Sequence, residues 1–371
     1  MKERIIVVGG YGHVGQMICK ELADYYPGKV YAAGRSLVRA EKFSNSTNGK
    51  VKPLQLNINE KISPHALDDV KLIIMCLDQT ATAFVQLCLE KGIHYVDISA
   101  QDSFHSQVEK LQTTASAGHA TALLSVGLAP GLTNLLALYA NRLMDTLDTV
   151  DISIMLGMGD QHGKAAIEWT IDNLGTTYEV IQGGIPTAVV SFTDGKQTDF
   201  GTGLGRKIAY RFNFSDQHAL PRTLGVPSAS TRLCFDSVAV TGLLAWLRAS
   251  GAFRLLKLKP IQNAVISLFG KSKFGKEMFA VKMDAWGKKG NEDIFIECMI
   301  QAKKEAEITA KVATEVAAAV YRSSFPHGIY HIEQLFELED VLLPIHELVT
   351  VEARINGKPL PLPAPKAIVK N

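Results

Sequence analysis

The feature that most constrains this chain is a glycine loop set between a strand and a helix near its N-terminus. Ile5-Ile6-Val7-Val8 is β-branched throughout, the pattern of a parallel strand buried on both faces. It runs into Gly9-Gly10-Tyr11-Gly12-His13-Val14-Gly15, which holds a GxGxxG from Gly10 to Gly15. Val14, Met17, Ile18, Leu22 and Tyr25 then fall on one helical face, and Pro27-Gly28 stops that helix. Lys29 to Ala33 begins a second strand at once. GxGxxG alone is a weak signal. Enclosed by strand, helix and strand within about thirty residues, it has the context of a dinucleotide fingerprint.

Each glycine has its own task. Gly10 allows the tight turn, Gly12 lets backbone approach a diphosphate, and Gly15 lets helix and strand pack closely. With Tyr11, His13 and Val14 they form the expected cofactor loop, and the helix start offers unpaired N–H groups and a positive dipole end. The second strand ends in Gly34-Arg35-Ser36. An NAD site usually places an acid there for the ribose hydroxyls. An arginine and a hydroxyl suit a 2′-phosphate instead, with Arg39 and Lys42 nearby, so the expected cofactor is NADP rather than NAD.

The alternation continues. Strands are expected at Val51–Leu56, Val70–Leu77, His94–Ile98 and Thr121–Val126, with helices around Thr82–Glu90 and Phe104–Ala117. This is the rhythm of a doubly wound parallel sheet, a Rossmann domain over residues 1–128. Ligands of such sheets bind beyond the carboxyl ends of the strands. That rule adds Cys76, Leu77, Asp78 and Ser99 to the expected cofactor rim.

After Leu128 the texture changes. Thr149–Leu156 is strand-like, Thr187–Phe192 leads into a turn at Thr193-Asp194-Gly195-Lys196, and Met278–Trp286 and Asp293–Ile300 flank Gly287–Asn291. Such hairpins imply a mixed or antiparallel sheet. An α+β substrate and dimerisation domain is therefore expected over 129–304 and about 340–360, with helices on one sheet face and a homodimer contact on the other. Ile308, Val312, Val316 and Val320 form a helix stripe, and the helix at about 305–322 is expected to pack back on the first domain. The proline-rich 361–371 segment reads as an extended tail. Val238–Leu247 is apolar and closed by Arg248, and reads as a buried or interface helix.

Composition narrows the function. The 371 residues carry 39 Lys and Arg against 37 Asp and Glu, so no field of one sign argues for a nucleic-acid partner. No apolar run approaches the length of a membrane span. The 5 cysteines are scattered without a CxxC, which fits a reducing, cytoplasmic setting and excludes a disulfide framework. No metal is expected, since His327 and His331 are separated by a helix-breaking Gly328 and have no third ligand.

The chain resembles the saccharopine dehydrogenase family. The resemblance rests on the Gly9–Gly15 loop, Gly34-Arg35-Ser36, Gly92-Ile93-His94-Tyr95-Val96-Asp97, Pro130-Gly131-Leu132-Thr133-Asn134, Thr309-Ala310 and Pro326-His327-Gly328-Ile329. It implies an NAD(P)-dependent oxidoreductase acting on C–N or C=O bonds of amino-acid-derived compounds. Family members often place an Asp after the third strand, near the adenine; Asn57 stands there in this chain. Saccharopine reductases commonly follow Tyr-Val-Asp with Gly-Glu, whereas this chain has Ser99-Ala100-Gln101, which argues against saccharopine itself.

Hydride transfer asks the protein for orientation and a proton source. His162, in the loop Gly157–Gly163, is the first candidate donor; the alternative is a loop histidine bonded to backbone or solvent. Asp97 ends a strand on the rim, where it could orient an ammonium or cap the next helix. Arg222 and Arg232 are the candidate carboxylate clamp for an amino-acid-like substrate, with plain surface charge as the alternative. The expected activity is hydride transfer between NADP(H) and a small amino-acid-derived imine or carbonyl. A non-enzymatic NADP-binding sensor remains the rival reading.

Overall fold

The structure is a computed structural model that describes residues 2–60, 62–161, 163–271 and 275–362. The first six strands are β1 (Arg4–Val8), β2 (Val30–Gly34), β3 (Lys52–Gln55), β4 (Val70–Met75), β5 (His94–Asp97) and β6 (Thr121–Leu124). Between them run α1 (His13–Tyr25), α2 (Leu37–Ser46), α3 (Ala83–Glu90), α4 (Asp102–Glu109) and α5 (Gln112–Ala117). The helix expected over Phe104–Ala117 is thus two, broken at Lys110-Leu111. Every strand pair in this sheet is parallel. Ile5, Ile6, Val7 and Val8 are all sealed from solvent, as their β-branched run demands of a central strand.

The chain then crosses to the second domain through α6 (Thr133–Leu143) and β7 (Thr146–Leu156). There follow α7 (Lys164–Asn173), β8 (Thr177–Gln182), β9 (Ile185–Val190), β10 (Lys196–Asp199), β11 (Arg206–Arg211), α8 (Asp216–Leu224), β12 (Ser228–Phe235), α9 (Val238–Ala249), α10 (Lys259–Lys271), β13 (Met278–Lys289) and β14 (Glu292–Lys303). The mixed sheet is confirmed: β12 and β7 run parallel, while β13 pairs antiparallel with both β7 and β14. The turn expected at Thr193–Lys196 does not join β9 to its neighbour. β9 folds back on β8 through Gly183-Gly184 (φ 57° and 77°), the two left-handed positions that a tight hairpin turn requires. β10 pairs with β11 instead.

The chain finally returns to the first domain. α11 (Glu305–Arg322) is followed by β15 (Gly328–His331), which adds a seventh strand beside β6. β15 was not expected: four residues after Pro326 show no period. α12 (Leu338–Leu342), β16 (Val349–Ile355) and β17 (Lys358–Pro359) complete the chain, and β16 extends the second sheet at β14. α9 matches the expected apolar helix. Thr241 and Leu244 face inward, while Val238, Leu243 and Trp246 are exposed. No helix among the described residues is long and apolar enough to cross a membrane.

Ile308, Val312, Val316 and Val320 lie buried along α11, in one continuous core that joins the two sheets. Ile308→Ala is expected to cost about 2–5 kcal/mol in equilibrium chemical denaturation. A loss below about 1 kcal/mol would show that this helix is not a main tie.

Candidate functional site

A cleft of about 510 Å³ opens where the carboxyl ends of the first sheet face the second domain. Gly9, Tyr11, Gly12, His13, Val14 and Gly15 line one side, with Cys76, Leu77, Asp78, Ser99 and Arg39. The glycine loop has no room for side chains. A Cβ on Gly15 would lie 2.4 Å from the Gly9 carbonyl oxygen, and one on Gly10 would lie 2.7 Å from that of Val7. Gly10 therefore sits against the strand it leaves rather than in the cleft wall. Gly12 begins α1 with no side-chain cap and no acid in the first turn, so the helix start is open to an anion.

The end of β2 is built around Tyr11. Its hydroxyl accepts the Ser36 N–H at 3.1 Å, and the Arg39 guanidinium stacks over its ring at 4.7 Å. The Ser36 hydroxyl caps α2 by accepting the Arg39 N–H at 3.3 Å. Arg35 is exposed beside it. Asn57 closes its own turn, accepting the Asn59 N–H at 3.2 Å and donating to Glu60 at 2.6 Å, and does not line the cleft.

Asp97 lies under the rim, fully buried. Its carboxylate accepts the Tyr95 hydroxyl at 2.7 Å and the Ser99 N–H at 2.7 Å. Gln79 donates to the same Tyr95 oxygen at 2.6 Å. Burial pushes Asp97 up to about 6, against the pull of those hydrogen bonds. Beside it the Ser99 hydroxyl meets His105 at 3.3 Å, and burial pushes His105 down to about 3. Burial also pushes the Cys76 thiol well above its ordinary range, which makes it inert.

The second domain supplies the opposite wall from β7, α7, β12 and α9, and α11 closes the cleft with Glu305, Ala306 and Thr309. Thr309 donates to Glu305 at 2.9 Å and receives the Leu128 N–H at 3.3 Å. Glu305 was missed from sequence, since an acid at a helix start usually signals only a cap. His162 lies outside the described residues. Gly163 of its loop lines the cleft, and a Cβ there would lie 3.5 Å from the His13 Cβ.

The two expected clamp arginines are placed elsewhere. Arg222 donates to Asp102 at 2.7 Å, Glu109 at 2.8 Å and the His218 carbonyl at 2.8 Å, bridging α8 to α4. Arg232 donates to Asp194 at 2.8 Å and Ser230 at 2.7 Å. Neither lines the cleft. Among the described residues no cluster of three or more His, Cys, Asp or Glu could hold a metal.

Asp97 sets a testable pH signature. Its folded value lies above the ordinary carboxylate value of about 3.9, so its contribution is complete below pH about 4 and is lost as pH rises through about 6. Asp97→Asn removes that loss. The stability of the variant relative to the wild type should rise by about 2–3 kcal/mol between pH 4 and 6, read by urea unfolding. Buried neutral His105 has the opposite slope, but it is common to both proteins and cancels. A flat difference would contradict the buried carboxyl.

Comparison with known proteins agrees with this geometry. Residues 5–123 match the family model described as the saccharopine dehydrogenase NADP binding domain. Carboxynorspermidine synthase of Vibrio cholerae is 24% identical over 181 residues, which span 42% of this chain and 43% of that protein. Apo saccharopine dehydrogenase (L-Glu forming) from Saccharomyces cerevisiae superposes with a TM-score of 0.66 at 12% identity, covering 95% of this chain and 100% of that one. Residues 5–123 thus match the saccharopine dehydrogenase NADP binding domain, and the chain as a whole shares the fold of saccharopine dehydrogenase.

Proposed function

We propose that the protein is an oxidoreductase transferring hydride between NADP(H) and a carbonyl or imine carbon held in the cleft. The observation that carries this reading is a glycine cradle without room for a Cβ, opening into the same cleft as the second-domain wall. The residues fit the cofactor. The N–H groups at the start of α1 would hold its diphosphate. Arg39, fixed on the Tyr11 ring, with Arg35 beside it, would hold the 2′-phosphate, and no acid stands at the end of β2 to repel it. NADP(H) would supply the hydride.

The chain's own part is orientation and a proton. Ser99 borders the cleft while Asp97 holds its backbone N–H and His105 its hydroxyl. Asp97 is in this reading a positioning residue. His162 stays the proposed proton donor, on the loop whose Gly163 borders the nucleotide side. An amino-acid-derived substrate, the finer form of the expectation, needs a cation for its carboxylate. Arg222 and Arg232 are already paired, and that form draws support only from the names of the relatives.

Fluorescence titration with NADPH and NADH tests the reading. NADPH should bind more tightly. Arg39→Ala should weaken NADPH about tenfold, the loss of one charge-assisted contact, and leave NADH nearly unchanged. Equal binding of both would overturn the 2′-phosphate assignment, and binding of neither would overturn the reading. A protein that binds NADPH but oxidises none with any carbonyl or imine compound would be the sensor instead.

A further inference from the structure

We infer that the substrate is an apolar carbonyl or imine compound with an extended hydrocarbon part, rather than a charged amino acid. The inference rests on the nucleotide reading above and names the substrate class of that same site.

The two walls of the cleft differ in kind. Its charged lining residues, Arg39, Asp78 and Glu305, belong to α2, the loop after β4 and the start of α11. The facing wall carries Ile167, Trp169, Ile171, Leu174, Phe235 and Leu244, from α7, β12 and α9. None of these six side chains carries a charge. The wall's polar side chain, Thr170, spends its hydroxyl on the Ala166 carbonyl at 2.8 Å. Trp169 is braced by Phe212 and Phe214, with ring centroids 5.4 and 5.1 Å away. The surface is preformed and aromatic, as small-molecule sites with apolar ligands are.

Four arginines of the second domain are already paired. Arg211 and Arg232 share Asp194, Arg222 holds Asp102 and Glu109, and Arg248 donates to the Ser191 carbonyl. A substrate carboxylate laid on these six side chains would lose its hydration and gain no partner from them. A hydrocarbon chain would gain instead. Each methylene buried there should tighten binding about threefold to fourfold.

The test is calorimetric titration of the protein saturated with NADP+, so that binding is read without turnover. The probes are methyl ketones of increasing chain length, with α-ketoglutarate and glutamate for comparison. The dissociation constant should fall about threefold to fourfold per added methylene until the wall is covered. The keto acid and the amino acid should bind more weakly than the longer ketones. Ile167→Asp, checked for folding by its NADP+ affinity, should flatten that slope and weaken the longest ketone by tenfold or more, roughly the loss of two methylenes. Tighter binding of α-ketoglutarate or glutamate, or ketone binding without chain-length dependence, would overturn the inference. So would a full slope in Ile167→Asp. Failure of NADP+ itself to bind would overturn the underlying nucleotide reading, and this inference would fall with it.

Discussion

The burial of α11 is the interaction on which the rest of the molecule depends. This helix leaves the second sheet at β14 and enters the first at β15, so both sheets are anchored to its two ends. Its apolar stripe lies against α1, the helix that begins at the glycine loop. Lys311 pairs with Glu21 at 2.8 Å, and the Tyr321 and Tyr26 rings meet at 4.4 Å. The polar contacts select a register, while the apolar burial supplies most of the free energy. Its first turn also reaches the cleft through Glu305 and Thr309. One helix therefore sets how far the glycine loop stands from the apolar wall.

The cleft divides its labour by chemistry. The nucleotide side is polar, with an open helix start, a stacked arginine and a serine held between a buried carboxyl and a neutral histidine. The far side is apolar and braced by aromatic rings. A dinucleotide carries charge along most of its length, and the first side suits it. The second side offers little to a charged group, and this asymmetry says more about the substrate than any single side chain does.

What was legible in the sequence was local. The Gly10–Gly15 spacing, the β-branched run before it and the four-residue stripe of α11 each carry their period within a short window, and the folded chain follows them. Non-local partners were not legible. Arg222 finds Asp102 and Glu109 in α4, more than a hundred residues earlier, by packing α8 across the domain boundary. The two arginines looked alike, and unoccupied, only because their carboxylates are distant in sequence. The apolar wall was invisible for a related reason. Ile167, Phe235 and Leu244 belong to separate segments, and each reads as ordinary core until the elements meet. β15 escaped because a four-residue strand at a sheet edge has no period to display.

The placement of β15 bears on the order in which the protein can be made. The first sheet is not contiguous in the chain. Its edge at β6 waits for a strand that leaves the ribosome roughly two hundred residues later, after β7 to β14 of the second domain. α11, which covers α1, arrives just before it. The nucleotide-binding domain therefore cannot finish folding ahead of its neighbour as an N-terminal domain ordinarily does. During synthesis an unpaired parallel edge and an apolar helix face stay uncovered until all but the last two strands of the second sheet have been made.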